Sequence, residues 1–336
     1  LNKIKNQSMR PGKQRFEFYL QQAESLMQQA SASVNPAAWL YQNNGRTCFF
    51  MLEGLGRLYK SLHNPKKFGK ILDHVKLVED GIGAIDYYDH IAVDLKKIPG
   101  IPDFVLGYVE AQTREKTQRL NEVLRENGWL GKSGERFAKM REKLDEADWM
   151  KAEKETEAIH RFYDQEIREL IKEMPETFTE MELHVHEIRR DLRWLSIYPQ
   201  ALNGLIQLHI QDEVVPQTEK YLTASVLESP YNRLPDAGDN PFVLYLQQKR
   251  FLSLSWVIAE IGAIKDEGLA VMAIAEALEQ TVRMTHENAV KEALRLLGKE
   301  DNLIRNLLNK ASSICHDFIQ EGHLNQLIYG VYPRQK

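Results

Sequence analysis

The sequence predicts an all-α protein of two pseudo-symmetric helical bundles built from long antiparallel helices. Three observations carry that prediction. Apolar residues recur with a helical period along most of the chain, with little strand signal outside Gln207 to Ile210. Short Pro, Gly and Asn clusters punctuate the periodic stretches. One segment recurs: Ile82-Gly83-Ala84-Ile85 returns as Ile261-Gly262-Ala263-Ile264, each copy followed by an aspartate, Asp86 or Asp266. A repeat of this kind, once in each half, points to a duplicated helical unit.

Taken in order, a first helix is expected from about Gln14 to Ala32. Asn35-Pro36 opens a second, with Asn as N-cap and Pro at the first helical position. Asn64-Pro65 repeats the signal and opens a third that runs to about Lys97. Pro99-Gly100-Ile101-Pro102 is a break, and the helix after it stops near Asn127-Gly128, a left-handed terminator. Lys132 to Met174 is densely charged and reads as a solvated hairpin joining two halves. Pro175 ends it, and a helix spans Thr177 to about Ile197. Leu205 to Asn240, with Pro216, Pro230, Pro235 and Gly238, reads as irregular. Asn240-Pro241 restarts helices, with breaks near Gly268, Gly298 and Gly322. The expected domains are residues 1–150, a charged connector at 151–175, and residues 176–336.

A chain of 336 residues with 43% hydrophobic and 27% charged residues has enough apolar material for a sizeable core. A formal charge of −4 gives no general attraction for nucleic acid, so any polyanion site must be local. No apolar run approaches a membrane span of about 20 residues, and the polar, basic start from Leu1 to Lys13 lacks the apolar centre of a signal peptide. Cys48 and Cys315 fit neither a disulfide framework nor a zinc motif. Reduced thiols in a cytoplasmic protein are the simpler reading, with one long-range disulfide left open.

The chemistry concentrates at His186-Glu-Ile-Arg189-Arg190-Asp-Leu-Arg193. At about 100° per residue these four cationic side chains share an arc of about 100°, opposite an apolar face made by Met181, Val185, Ile188, Leu192 and Leu195. Guanidinium forks suit phosphate oxygens, because they donate in pairs and stay protonated. Glu187 and Asp191 on the same helix offer the alternative of a solvated, salt-bridged face.

His186-x-x-Arg189-x-x-x-Arg193, together with the two Ile-Gly-Ala-Ile segments, resembles the CHAD (conserved histidine α-helical) domain from about Phe16 to Tyr329. The resemblance implies two four-helical bundles whose basic helices face a central cleft that binds inorganic polyphosphate, without a catalytic metal or other cofactor. His186, Arg189 and Arg193 match that pattern, and Arg190 joins them by helical geometry. Lys249 and Arg250, ahead of the second Ile-Gly-Ala-Ile, are candidates to face the stripe. The first half departs from the pattern. With Tyr41 at the histidine position, Asn44 and Cys48 fall where arginines belong, so the first stripe is eroded.

Other candidates are weaker. Glu157-x-x-His160 has di-iron spacing but no second pair. His184 and His186 point to different sides of a helix and make no metal pair. Asp73-His74 and Asp86 with His90 read as polar clusters, and Lys66, Lys67 and Lys70 as solvated charge. No Ser-His-Asp arrangement or dinucleotide loop is present, and Gly54-Leu-Gly56 reads as a close helix contact. The expectation is a polyanion- or phosphate-binding module rather than an enzyme, with no catalytic residues, metal, nucleic-acid or membrane partner. A structural or protein-interaction helical protein that has lost its ligand is the rival.

Overall fold

The computed structural model describes residues 10–131, 134–210, 215 and 217–334. Residues 1–9 of the basic start, Lys132 and Pro216 lie outside them. Helix α1 (Pro11–Ser31) buries Phe16, Leu20, Ala23 and Met27 along one stripe. In α2 (Pro36–Gln42) the Asn35 side chain caps as expected, accepting from the Ala38 N–H at 3.2 Å. The helix expected to continue from there breaks at Asn43-Asn44, where Asn44 takes a left-handed φ of 55°, and restarts as α3 (Gly45–Leu62). Asn64 does not cap with its side chain. It adopts φ 48° and turns the chain into α4 (Pro65–Leu95). Helix α5 (Asp103–Glu126) follows the Pro-Gly break and ends before Gly128 at φ 70°, the anticipated terminator.

The charged stretch forms α6 (Glu135–Asp145) and α7 (Ala152–Glu173). Apart from buried Glu155, its charge lies on the outer side of α7, whose inner side buries Ile159, Phe162, Tyr163 and Ile167. A wide π-turn, Met181–His186, leads into α8 (Glu187–Ala201). Pro199 sits inside α8 and leaves the Leu195 carbonyl without its helical donor. The Tyr163 hydroxyl of α7 donates to that carbonyl instead.

Strand β1 (Ile206–His209) lies where the one strand candidate was read. A short α9 (Ala224–Glu228) and two 3₁₀ turns occupy the irregular segment. Asn240-Pro241 opens β2 (Phe242–Gln247) rather than a helix, and β3 (Ile328–Pro333) closes the described chain. β1 pairs parallel with β2, Ile206 opposite Leu244, and β2 pairs antiparallel with β3. The chain is mostly helical, with this small sheet packed on α7. The alternation in β2, with Leu244 and Leu246 inward and Tyr245 outward, is only three residues deep and is easily mistaken for a helix start.

Helix α10 (Gln248–Val282) runs straight through Gly268. There a Cβ would stand 2.3 Å from Met181 Cε, so the glycine serves close packing and not termination. Gly298 (φ 62°) and Gly322 (φ 73°) do end α11 (His286–Leu296) and α12 (Leu303–Gln320). The main apolar core joins α1, α3, α4, α7, α8, the sheet, α10 and α12. A second core joins the far ends of α4 and α10 with α5 and α11. Among the described residues no helix is long and apolar enough to cross a membrane.

Candidate functional site

Helix α8 packs between α3 and α10, and its cationic stripe faces that seam. Gly54 on α3 makes the approach close: a Cβ there would meet Ile197, Ala201 and Trp194 of α8 at 3.4–3.5 Å. The helix spacing read from Gly54-Leu-Gly56 is therefore a packing contact, and Gly56 plays the same part against Leu72 of α4.

Arg189 lies across Gly262 of α10. A Cβ on Gly262 would stand 2.8 Å from Arg189 Nε, and that Nε donates to the Ile258 carbonyl at 3.3 Å. Arg193 stacks on the Phe50 ring of α3, with its guanidinium carbon 4.4 Å from the centroid. Among the described residues neither arginine has a carboxylate within 4.0 Å. Burial pushes Arg193 down to about 10, with Arg189 and Arg46 adding like-charge repulsion and Glu79 opposing them. Arg189 is lowered too, by burial first and then by Arg46, against the pull of Asp266. Both stay protonated at neutral pH, so two poorly solvated positive charges stand side by side.

His186 is half-buried. Its Nδ1 has no hydrogen bond, and the nearest carboxylate oxygen, on Glu182, is 3.7 Å away. Burial lowers its pKa, with Lys265 and Arg190 pushing the same way against Glu182 and Glu187, so the ring is neutral at pH 7. Arg190 turns to the exposed side and pairs with Glu187. Of the four predicted residues, Arg189 and Arg193 thus form the centre, His186 the margin, and Arg190 the salt-bridged alternative.

The remaining two predicted residues lie elsewhere. Arg250 is buried and donates to Gln247, to His323 Nδ1 at 3.1 Å and to Gln326. It stands eight residues before Ile258 on α10, about 12 Å along the axis. Lys249 precedes it by one residue. Their sequence position, ahead of the second motif copy, put them on the right helix but more than two turns from the arginines.

The first half holds what sequence reading missed. Tyr41 bonds Asp89 at 2.8 Å, Asn44 forms the break before α3, and buried Cys48 bonds the Gly45 carbonyl. None lies where an arginine would serve. Arg46 does: a Cβ on Gly83 would stand 2.5 Å from its guanidinium. Arg46 therefore meets the glycine of the first motif copy much as Arg189 meets that of the second. Arg46 also stacks on Phe50 from 5.1 Å, so guanidinium groups of both halves contact one ring. Unlike Arg189, Arg46 is neutralised. Its Nε donates to Glu79 at 2.7 Å and its Nη1 to Asp86 at 3.1 Å. Burial pushes the Glu79 carboxyl up, and the Arg46 guanidinium draws it back down.

Glu79 and Asp86 stand at −4 and +3 from Gly83, on the face of α4 that meets Arg46. The same offsets from Gly262 give Ile258 and Lys265. Matching the copies by their trailing aspartates hides this, because Asp266 lies one residue further on than Asp86. Counting from the glycines was the available signal.

The other candidates lie at the edge of this group or away from it. His90 pairs with Asp86 at 2.9 Å at the exposed edge of α4, and His74 accepts from Arg136 at 2.7 Å. Glu157 is exposed on α7. Cys48 and Cys315 are both free and buried, and burial pushes each thiol up to about 12. Among the described residues no group of three or more His, Cys, Asp or Glu is placed to hold a metal ion. Compared with known proteins, the chain matches no protein-family model, no curated protein and no solved structure.

Proposed function

We propose that this protein is a CHAD-like module that binds a phosphate-bearing anion, inorganic polyphosphate or phosphate, at Arg189 and Arg193 between two pseudo-symmetric helical bundles. The observation that carries the reading is the pair itself: two half-buried guanidinium groups, repelling each other, with no carboxylate within 4.0 Å among the described residues and only Asp266 and Glu79 acting on them from further off. Such a pair gains most from an added anion, because charge-assisted bonds replace both lost hydration and like-charge repulsion. His186 adds a hydrogen bond at the margin, and Lys265 adds positive charge beside it. The duplication is supported by the arginine-on-glycine contact repeated at Gly83 and Gly262. The free, buried cysteines fit a reducing compartment such as the cytoplasm.

The test is a calorimetric titration of polyphosphate at modest salt. Arg189→Ala and Arg193→Ala are each expected to weaken binding about tenfold or more, since a hydrogen bond to a charged group contributes about 1.5–3 kcal/mol. Gly262→Ala keeps every charge but displaces the Arg189 guanidinium, and is expected to weaken binding as well. A wild type that does not bind, or binding indifferent to all three changes, sinks the proposal.

A second reading is a structural or partner-binding helical protein without an anion. It is favoured by the contacts the arginines already have, Arg189 with the Ile258 carbonyl and Arg193 with Phe50. On that reading the arginine variants lower thermal stability while no anion raises it.

A further inference from the structure

Resting on that anion site, we propose that Glu79 and Asp86 determine its selectivity, by occupying the first half's arginine and so confining the bound anion to one or two phosphate groups. The argument begins with the two glycines. At each, an arginine from an earlier helix lies across the gap the missing side chain leaves, Arg46 of α3 over Gly83 and Arg189 of α8 over Gly262. What flanks the glycines differs. The first carries Glu79 and Asp86, both in contact with Arg46, at 2.7 and 3.1 Å. The second carries Ile258, which offers only a backbone carbonyl, and Lys265, which adds a positive charge.

Charge counting gives the consequence. On the first side one guanidinium faces two carboxylates. On the second, Arg189, Arg193 and Lys265 face Asp266, which pairs with Lys265, while Glu79 of the first side reaches Arg193 from beyond bonding distance. An anion held by Arg189 and Arg193 that grows toward Arg46 finds that arginine's Nε and Nη1 already donating to carboxylates, and meets those carboxylates as charges of its own sign. Glu79 is close enough to act on the Arg193 charge, so it also acts on whatever Arg193 binds. Both Arg46 and Arg193 contact the Phe50 ring, so the two sides adjoin at one aromatic side chain. The site therefore has a favourable end and a built-in stop.

The experiment is calorimetry on the full chain with four probes: orthophosphate, pyrophosphate, tripolyphosphate and long-chain polyphosphate. For the wild type, affinity per chain is expected to level off at pyrophosphate. Asp86→Asn, at a half-exposed position and with Glu79 still holding Arg46, is expected to raise the tripolyphosphate-to-pyrophosphate affinity ratio about tenfold, the value of one recovered charge-assisted contact. Adding Glu79→Gln extends the gain, and adding Arg46→Ala to Asp86→Asn abolishes it. The Arg46 control separates release of that arginine from a general loss of negative charge. Circular dichroism melts establish that each variant is folded. A wild type whose affinity climbs steadily to long-chain polyphosphate, or an Asp86→Asn ratio equal to wild type, overturns the length restriction alone. A wild type that binds none of the four probes overturns the anion site, and the restriction with it.

Discussion

His323 is wholly buried between two partners that fix its chemistry. Arg250 can only donate, so Nδ1 accepts from it, and the Glu321 carboxylate accepts from Nε2–H at 3.1 Å. Burial, then Arg250, lower its pKa, with Glu321 opposing and Lys220 adding to the lowering. The folded protein thus takes up this proton at a lower pH than the unfolded chain does. As pH falls through the ordinary histidine value of 6.5, the unfolded state gains the proton first and the stability from neutral His323 is lost. The melting temperature of the wild type is expected to fall between pH 7.5 and 5.5, and His323→Gln to show a shallower fall. Equal slopes refute the assignment. The reading of Arg250 as a stripe residue failed at this same place: its charge was visible in the sequence, but the histidine that holds it is 73 residues away.

At the scale of one element, α8 shows how a helix keeps a proline. Pro199 cannot donate to Leu195, and its neighbours are buried. The Tyr163 hydroxyl from α7 fills the gap. Tyr163→Phe therefore leaves a buried carbonyl unsatisfied and is expected to cost about 1–3 kcal/mol in urea denaturation. In a Pro199→Ala background the restored backbone N–H supplies the bond, so the same change should cost clearly less. An undiminished cost in the double variant rules the explanation out. The helix itself was legible from its apolar face and the break at Pro175. The π-turn that starts it and the tyrosine that mends it were not, since the turn packs on α10 and the tyrosine comes from α7.

Across the whole molecule, Arg15 ties distant parts together. From α1 it donates to Glu155 of α7 at 2.7 Å, to Tyr59 of α3, to the Leu202 carbonyl after α8 and to Asn240 before β2. Arg15 and Glu155 have side-chain exposures of 4% and 1%. Gly12 is the opening that admits the group, since a Cβ there would stand 2.5 Å from Glu155 Oε1. Removing one member strands the other charge in the core. Arg15→Leu is expected to cost about 3–5 kcal/mol by chemical denaturation, and Arg15→Leu with Glu155→Leu much less. Additive losses would show that the pair does not act as a unit. This strut and the two apolar cores each draw on residues before 150 and after 175.

By itself the sequence determined the helical character, most helix ends and the cationic face at His186 to Arg193. These follow from periodicity, capping and the backbone freedom of Gly128, Gly298 and Gly322, which are local properties. It also held the clue to the first half, in the offsets of Glu79 and Asp86 from Gly83. The tertiary structure decided which charges meet. Arg46 and Arg189 each lie over a motif glycine, yet one is neutralised by α4 and the other, among the described residues, has no carboxylate within 4.0 Å against α10. Helical spacing says which side of a helix a residue faces. Only the packing of a second helix says whether a carboxylate, a carbonyl or an aromatic ring is waiting there.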